Sequence, residues 1–389
     1  MNTVSRIGLL LAVAVSTACR DGVAPNVTEA RTPLEGQLVQ LTYNPGNDLN
    51  PAWSKDADTV YYAAAGFIDY PRQPSTILRI ARSGGIASMI APDAQVAAAT
   101  LALPVMSPQR DRVAYVQLGF MNPPALCADP LPPAAPLCSL NEPLLQTGVL
   151  RVRAAGATAG AGADPGVDIP FQGTDPRRPA ESAAAGVASP YLQRAFPYQT
   201  AYRARSELLF RPTWSPDGRQ IAFSDGLTLR LWNTTASAST PIPGTSDGVS
   251  PAWSPGGDLI AFARLVRGDS VRVTCFCTEP GSTQAIPDVH TRWTYTVTRT
   301  VITLIKPDGT GAVELTSGQE PAWSPEGNSI YFTNFNQIYR IARAGGTPVA
   351  VKETEGGRSP SVSPDGKWLA FTRGTATNQN IWVLNLSGQ

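Results

Sequence analysis

Histidine is almost absent: the 389 residues contain one, His290. That rules out a histidine-cluster metal centre and leaves any Ser-His-acid triad a single remote base. A surplus of one charge is absent too. Lys and Arg number 31 against 30 Asp and Glu, with no long block of either sign. Nucleic acid binding draws on clustered cations that displace counterions, so nucleic acid is not an expected partner. Apart from residues 7–18, no apolar run approaches the ~18 residues of a membrane helix, so the mature chain is not expected to span a bilayer. Neither a P-loop nor a Gly-x-Ser-x-Gly nucleophile elbow is expected anywhere in the chain. Neither a cofactor nor a metal site is expected. What the chain holds in quantity is 34 Gly and 36 Pro, which suit many turns and few long helices.

The N-terminus carries export chemistry. Arg6 supplies a basic start, and "IGLLLAVAVSTA" (7–18) is an apolar stretch too short for a membrane span. It ends in Ser16-Thr17-Ala18-Cys19, which resembles a bacterial lipobox, where cleavage before the cysteine precedes its lipidation. Ser16 stands where such boxes usually hold an aliphatic residue, so ordinary secretion and a retained anchor stay open as other readings. Residues 1–19 are read as the signal peptide, Cys19 as the lipidation site and 20–35 as a flexible polar tether. The expected location is the bacterial cell envelope, with membrane contact through the N-terminal lipid only.

Aligned on Pro-x-Trp-Ser, six copies of one stretch emerge: "PAWSKDADTVYYA" (51–63), "PVMSPQRDRVAYV" (104–116), "PTWSPDGRQIAFS" (212–224), "PAWSPGGDLIAFA" (251–263), "PAWSPEGNSIYFT" (321–333) and "PSVSPDGKWLAFT" (360–372). Their starts lie 53, 108, 39, 70 and 39 residues apart, a period of 39 with insertions. The Trp slot holds Trp53, Met106, Trp214, Trp253, Trp323 and Val362, and is expected to pack between neighbouring units. Self-similarity at this period marks a propeller or a solenoid.

Each copy reads as a strand a through Pro-x-Trp, a tight Ser-Pro-Asp-Gly turn and an apolar strand b. A weaker repeat follows, as in "ILRIARSGGIASMI" (77–90), "ITLIKPDGTGAVELT" (302–316) and "IYRIARAGGTPVAV" (338–351), and supplies strands c and d. Pro, Gly and β-branched residues interrupt every helical period, which excludes a helical solenoid. The expected fold is all-β: a six-bladed β-propeller of four-stranded blades.

These repeats resemble the TolB-type propeller repeat, "PAWSPDGxxIAF", also found in tricorn-like and prolyl-oligopeptidase-like propellers. The resemblance covers roughly 36–389 and is most specific at Trp214–Phe223, Trp253–Phe262 and Trp323–Phe332. It implies the fold strongly and any single function weakly. Residues 20–35 read as a tether where TolB proper has an α/β domain, and no hydrolase-type segment stands within 36–389.

The sixth copy supplies strands a, b and c, ending at "IWVLNLSGQ" (381–389), and lacks strand d. The stretch "GQLVQLT" (36–42) matches "GAVELT" (311–316), so this N-terminal strand is expected to close the ring and remove its open edges. Insertions at 120–147, 174–210 and 266–300 all fall on the face that carries the d–a and b–c loops. Within the last, "DSVRVTCFC" and "HTRWTYTVTRTVI" alternate with period two, as a hairpin arm bearing Phe276, Trp293 and Tyr295 would.

Five cysteines suit an oxidising compartment. With Cys19 assigned to lipid, Cys127, Cys138, Cys275 and Cys277 are the disulfide candidates. Cys127–Cys138 has a comfortable span, Cys275–Cys277 would be strained, and cross-pairs between the insertions remain open.

The expected function is non-catalytic: an envelope lipoprotein, monomeric, whose propeller binds a protein or peptide at the d–a face. The candidate contacts are Asp48, Asn50, Arg211, Asp247, Ser250, Glu320, Arg358 and Ser359 around the mouth, with Trp293 and Tyr295 on the arm. The alternative is a carbohydrate- or small-ligand-binding or lyase-type propeller, with a carboxylate-bound Ca²⁺ conceivable among Asp48, Asp247 and Glu320. Asp217, Asp308 and Asp365 read as turn residues on the opposite face.

Overall fold

A computed structural model describes residues 36–65, 75–90, 100–109, 111–121, 144–154, 166–168, 211–225, 228–236, 238–278, 285–375 and 378–387. All regular elements among them are strands. β1 (Leu38–Gln40) precedes the first repeat, which forms β2 (Asn47–Trp53), β3 (Thr59–Ala65), β4 (Ser75–Ala81) and β5 (Ser88–Met89). The second repeat forms β6 (Thr100–Met106), β7 (Arg112–Met121), β8 (Leu144–Ala154) and β9 (Gly166–Asp168). The third gives β10 (Thr213–Trp214), β11 (Gln220–Ser224), β12 (Leu229–Asn233) and β13 (Ser239–Pro241). The fourth gives β14 (Gly248–Trp253), β15 (Ile260–Thr278), β16 (Ala285–Ile305) and β17 (Val313–Ser317). The fifth gives β18 (Gln319–Trp323), β19 (Ser329–Asn334), β20 (Gln337–Ala342) and β21 (Val349–Ala350), and the sixth β22 (Gly357–Val362), β23 (Trp368–Gly374) and β24 (Gln379–Asn385).

Hydrogen bonding joins these strands into four sheets, against six expected blades. The third, fourth and fifth repeats each form their own antiparallel four-stranded sheet. The remaining twelve strands run β22-β23-β24-β2-β3-β4-β6-β7-β8-β9, with β1 on β24 and β5 on β4. Two links in that sheet differ from all others. β24–β2 and β4–β6 are parallel, and each rests on one pair, Asn47↔Gln379 and Ser75↔Thr100. β1 lies antiparallel on β24 with Leu38↔Leu384 and Gln40↔Trp382.

Why the motif recurs is visible in what it touches. Strand b is buried on both faces: Ile221-Ala222-Phe223, Ile260-Ala261-Phe262 and Leu369-Ala370-Phe371 are fully enclosed. Each such Phe contributes about 1.5–3 kcal/mol by leaving water. The tryptophans stitch one repeat to the one before it. Trp214 Nε1 donates to Val105 O at 3.2 Å, Trp323 Nε1 to Ala252 O at 2.9 Å and Trp53 Nε1 to Ser361 O at 2.9 Å. Trp253 is the exception, bonding Gly257 O of its own turn. The turns stack as well: Gly257 faces the Pro216 ring, Gly327 faces Pro255 and Gly366 faces Pro325. Trp and Gly of one motif thus reach back to the repeat before it, Gly against its Pro.

β15 and β16 pair from Ile260↔Ile305 out to Thr278↔Ala285, far beyond the length of the other ladders. β7 and β8 likewise pair out to Met121↔Leu144. Residues 1–35, 122–143 and 174–210, with the lipobox and two of three insertions wholly or largely inside them, lie outside the described residues.

Candidate functional site

In five of the six repeats strand a does not begin at its proline, as the sequence suggests; it begins earlier, and the proline forces a bulge within it, whereas in the third β10 starts just after Pro212. Proline has no N–H for the ladder, so it sits where pairing lapses. Register shifts occur at Leu49/Ala52, Ala102/Val105, Val249/Ala252, Gln319/Ala322 and Arg358/Ser361. The residue before each of these five prolines is turned into the left-handed region, with φ of 55° at Asn50, 57° at Leu103, 50° at Ser250, 56° at Glu320 and 51° at Ser359. For non-glycine residues before proline this conformation costs about 1–3 kcal/mol each.

The expected mouth residues are therefore mostly enclosed rather than solvated. Asp48, Asn50, Asp247, Ser250, Glu320 and Ser359 are buried, while Arg211 and Arg358 are half-buried. Glu320 locks the fifth repeat to the sixth. Its Oε2 accepts Thr333 Oγ1–H at 2.6 Å and the Ser359 N–H at 2.9 Å, and its Oε1 accepts Ser359 Oγ–H at 3.0 Å. Arg211 Nη1 has no hydrogen-bond partner. Protein packed around its guanidinium works against the charge, and the Glu320 carboxylate works for it.

Asp48 occupies a position that is glycine in three repeats. A Cβ at Gly248, Gly318 or Gly357 would stand within 3.0 Å of the ring of Phe262, Phe332 or Phe371, so those repeats admit no side chain there. The first repeat admits a carboxyl. Burial pushes it up to about 6, while hydrogen bonds from Thr42 and Asn44 pull the other way.

Trp293 and Tyr295 lie on β16, opposite Arg272 and Ser270 of β15, with side chains outside the described residues. Cys275 and Cys277 lie on β15 across a register shift, opposite His290 and Ile286; Cys19, Cys127 and Cys138 fall outside the described residues. Asp217, Asp308 and Asp365 are turn residues: Asp217 accepts from Ser215 Oγ at 2.6 Å, Asp308 from Thr310 N at 2.9 Å and Asp365 from Ser363 Oγ at 2.5 Å. Among the described residues no three His, Cys, Asp or Glu side chains gather as a metal-holding group.

Two features escape a reading by composition and motif. Gly244-Thr245-Ser246-Asp247-Gly248 does carry the Gly-x-Ser-x-Gly spacing, contrary to the expectation from sequence. It is a loop between β13 and β14 with Thr245 bonded to Leu229 N, whereas a nucleophile elbow joins a strand to a helix. The second is Phe335. It is 93% exposed at φ 45°, followed by Asn336 at φ 61°, in the two-residue turn between β19 and β20. Such turns favour Asn-Gly, and a bulky aromatic at positive φ is a marked outlier. Arg358 Nη2 donates to Asn336 Oδ1, and Gln337 Nε2 to Glu355 Oε1 at 3.3 Å, so this turn stands beside the loop that enters the sixth repeat.

Repeats, bulged strands and sheets together define an all-β chain with a β-propeller arrangement. No family model matches the chain. Over 188 residues it is 24% identical to an uncharacterised peptidase, YuxL, of Bacillus subtilis (strain 168), a match covering 41% of this chain and 29% of that protein. It is 26% identical over 192 residues to an uncharacterised protein of Agrobacterium fabrum, covering 47% of this chain and 56% of the other. The chain thus spans roughly a third to a half of the length of these curated relatives. Among solved structures, TolB from Acinetobacter baumannii matches with TM-score 0.34 and 19% identity over 46% of this chain and 41% of that one. An oligogalacturonate lyase in complex with manganese matches with TM-score 0.43 and 12% identity over 94% and 97%. None of these likenesses assigns a site.

Proposed function

We propose that this chain is a non-catalytic, lipid-anchored envelope protein whose propeller binds a protein or peptide partner on the face of the d–a and b–c loops. The observation that carries this is Phe335. A fully exposed aromatic held in a strained turn serves no packing role, and exposed aromatic anchors are typical of binding hot spots. Arg358 beside it is half-buried and open enough to contact a ligand, while Arg211 lies within the mouth with its guanidinium enclosed. Asp48, Asn50, Asp247, Ser250, Glu320 and Ser359 shape the mouth from beneath, and Trp293 and Tyr295 extend the surface along the β15–β16 arm.

The ring in this reading has six blades in a domain spanning 36–389, closed by β1. Two facts support it. The twelve-stranded sheet is three antiparallel runs held by single parallel bridges, too little pairing to make one continuous sheet. And β1 stands toward β24 as strand d stands toward strand c elsewhere: Leu41 N donates to Ile381 O at 2.8 Å, as Ile242 N does to Leu229 O at 2.8 Å and Val351 N to Ile338 O at 2.9 Å. Anchoring through Cys19, a periplasmic or surface location and a monomeric state complete the proposal.

The test is affinity capture from detergent-extracted envelopes with wild type, Phe335→Asn, Arg358→Glu and Asp217→Lys. A partner held by wild type and Asp217→Lys but lost by the first two variants is expected. Equal capture by all four would sink the assignment to this face.

A further inference from the structure

Three buried oxygens in one short segment lack a donor of good geometry, the Thr42 hydroxyl near Asp48 being directed to Asn380 Oδ1 at 3.5 Å. Asn44 Oδ1, Asp48 Oδ2 and Asn50 Oδ1 have no hydrogen-bond partner, on residues 3%, 0% and 4% exposed. Asn44 Nδ2 donates to Asp48 Oδ1 at 2.9 Å, so the first two orphan oxygens belong to one hydrogen-bonded amide–carboxyl pair. Asn50 follows two residues later on β2, a strand buried along its whole length. Buried polar groups in native proteins are almost always paired, and an orphan calls for a water or an ion.

The chemistry of the set is one-sided. It offers only acceptors: one carboxylate oxygen and two neutral amide oxygens, with neither sulfur nor imidazole. A proton on Asp48 could serve one of them at most. Oxygen donors of this mixture are what hard cations take, Ca²⁺ above the softer transition metals. Three other repeats cannot build such a site, because the Asp48 position is Gly248, Gly318 or Gly357 there, each pressed against an aromatic ring, and in the second and third repeats leucine (Leu101, Leu209) offers no oxygen.

We propose that Asn44, Asp48 and Asn50 bind a hard divalent cation, Ca²⁺ by donor type, with water or backbone carbonyls completing its shell. The site differs from the set of carboxylates suggested by the sequence, since Glu320 is already saturated by Thr333 and Ser359. Its place gives it a role. Asn44 lies on the segment linking β1 to β2, and Asp48 and Asn50 lie on β2. The cation would tie the segment that follows β1 to the inner strand of the first repeat, so the seam of the ring would be cation-dependent.

The experiment follows thermal unfolding of the chelator-stripped full chain at neutral pH, with Ca²⁺, Mg²⁺ or Mn²⁺ added at millimolar concentration. Ca²⁺ should raise the wild-type Tm by several degrees, with direct binding seen by titration calorimetry. Asp48→Asn should lose the shift while unfolding, without metal, no earlier than wild type, because it removes an uncompensated buried charge. Asn44→Asp, with a second carboxylate, should bind Ca²⁺ more tightly and unfold earlier without it. The Asp217→Asn control should keep the full shift. No response of wild type to any of the three ions overturns the site. An equal response in Asp48→Asn overturns it too, because the ion then binds elsewhere. Should Asp48→Asn fail to fold, unchanged affinity in Asn44→Asp has the same force.

Discussion

Thr42 Oγ1 accepts the N–H of Ile381 at 2.9 Å, across 339 residues of sequence. The same bond recurs inside the chain: Thr245 Oγ1 accepts from Leu229 N at 3.0 Å, and Thr354 Oγ1 from Ile338 N at 3.3 Å. In each case a threonine entering one repeat caps an amide near the start of strand c in the repeat before: the first residue of β12, the second of β20 and the third of β24. Thr42 performs this for the sixth repeat from the other end of the chain. The N-terminal segment is thus bonded as though it followed β24 directly.

Thr42→Val should leave the buried Ile381 amide unpaired and cost about 1–3 kcal/mol. Deleting 36–42 should lower the melting temperature far more or cause aggregation, by exposing the β24 edge. Urea unfolding measures both. A Thr42→Val effect no larger than that of the exposed Thr235→Val would end the argument for closure by this segment.

Glu320 makes a second seam testable. Glu320→Ala strands Thr333 Oγ1 and the Ser359 amide in a buried site, with an expected loss of about 3 kcal/mol. Glu320→Gln keeps one acceptor oxygen and should cost less. Charge reversal at Glu320 is therefore a folding defect first, unlike reversal at half-buried Arg358. If Glu320→Ala unfolds at the wild-type denaturant midpoint, the carboxylate is not a structural lock.

The tryptophan slot separates repeats by geometry. Trp323→Phe removes the indole N–H that reaches Ala252 O in the neighbouring repeat, while Trp253→Phe removes a bond within its own turn. Both should destabilise by about 1–2 kcal/mol through the lost bond and packing. Only Trp323→Phe should speed amide exchange at the fourth–fifth boundary. Hydrogen exchange at β14 and β18 decides it.

Much of the fold was legible because the repeat ties three residue types to one geometry: Trp for the neighbour, Pro for the turn and Gly for the left-handed corner. Strands a and b follow from that, and strands c and d from the weaker repeat that comes after it. The bulge was not legible. Pro in strand a signals lost pairing, but that it turns Asn50, Ser250, Glu320 and Ser359 inward depends on the partner strand. Burial of the mouth residues followed from this and was missed. A signal for Asp48 did exist, in the Asp-x-x-Pro of the first repeat against Gly-Val-Ser-Pro, Gly-Gln-Glu-Pro and Gly-Arg-Ser-Pro in three others. Phe335 had no such signal, since exposure is a property of the folded surface.

Lipidation rests on the Ala18-Cys19 junction. Metabolic labelling with a fatty-acid analogue should mark the wild-type protein and miss Cys19→Ser. Label in both proteins, or in neither, would remove the anchor from the proposal.

Phe335 links stability to binding in opposite directions. Its turn holds φ of 45° and 61° at two successive non-glycine residues, a conformation that Asn or Gly at the first position adopts more readily. Replacing it also withdraws a bare aromatic ring from water without removing any internal contact. Phe335→Asn and Phe335→Gly should therefore raise the unfolding free energy, by about 0.5–1 kcal/mol. On the proposed function the same variants should also release the captured partner, which the ring would anchor. A site kept at the expense of stability is what selection for binding leaves behind. A destabilised Phe335→Gly would mean the ring packs against its own blade, and the search for the anchor would move to Trp293 and Tyr295 on the arm.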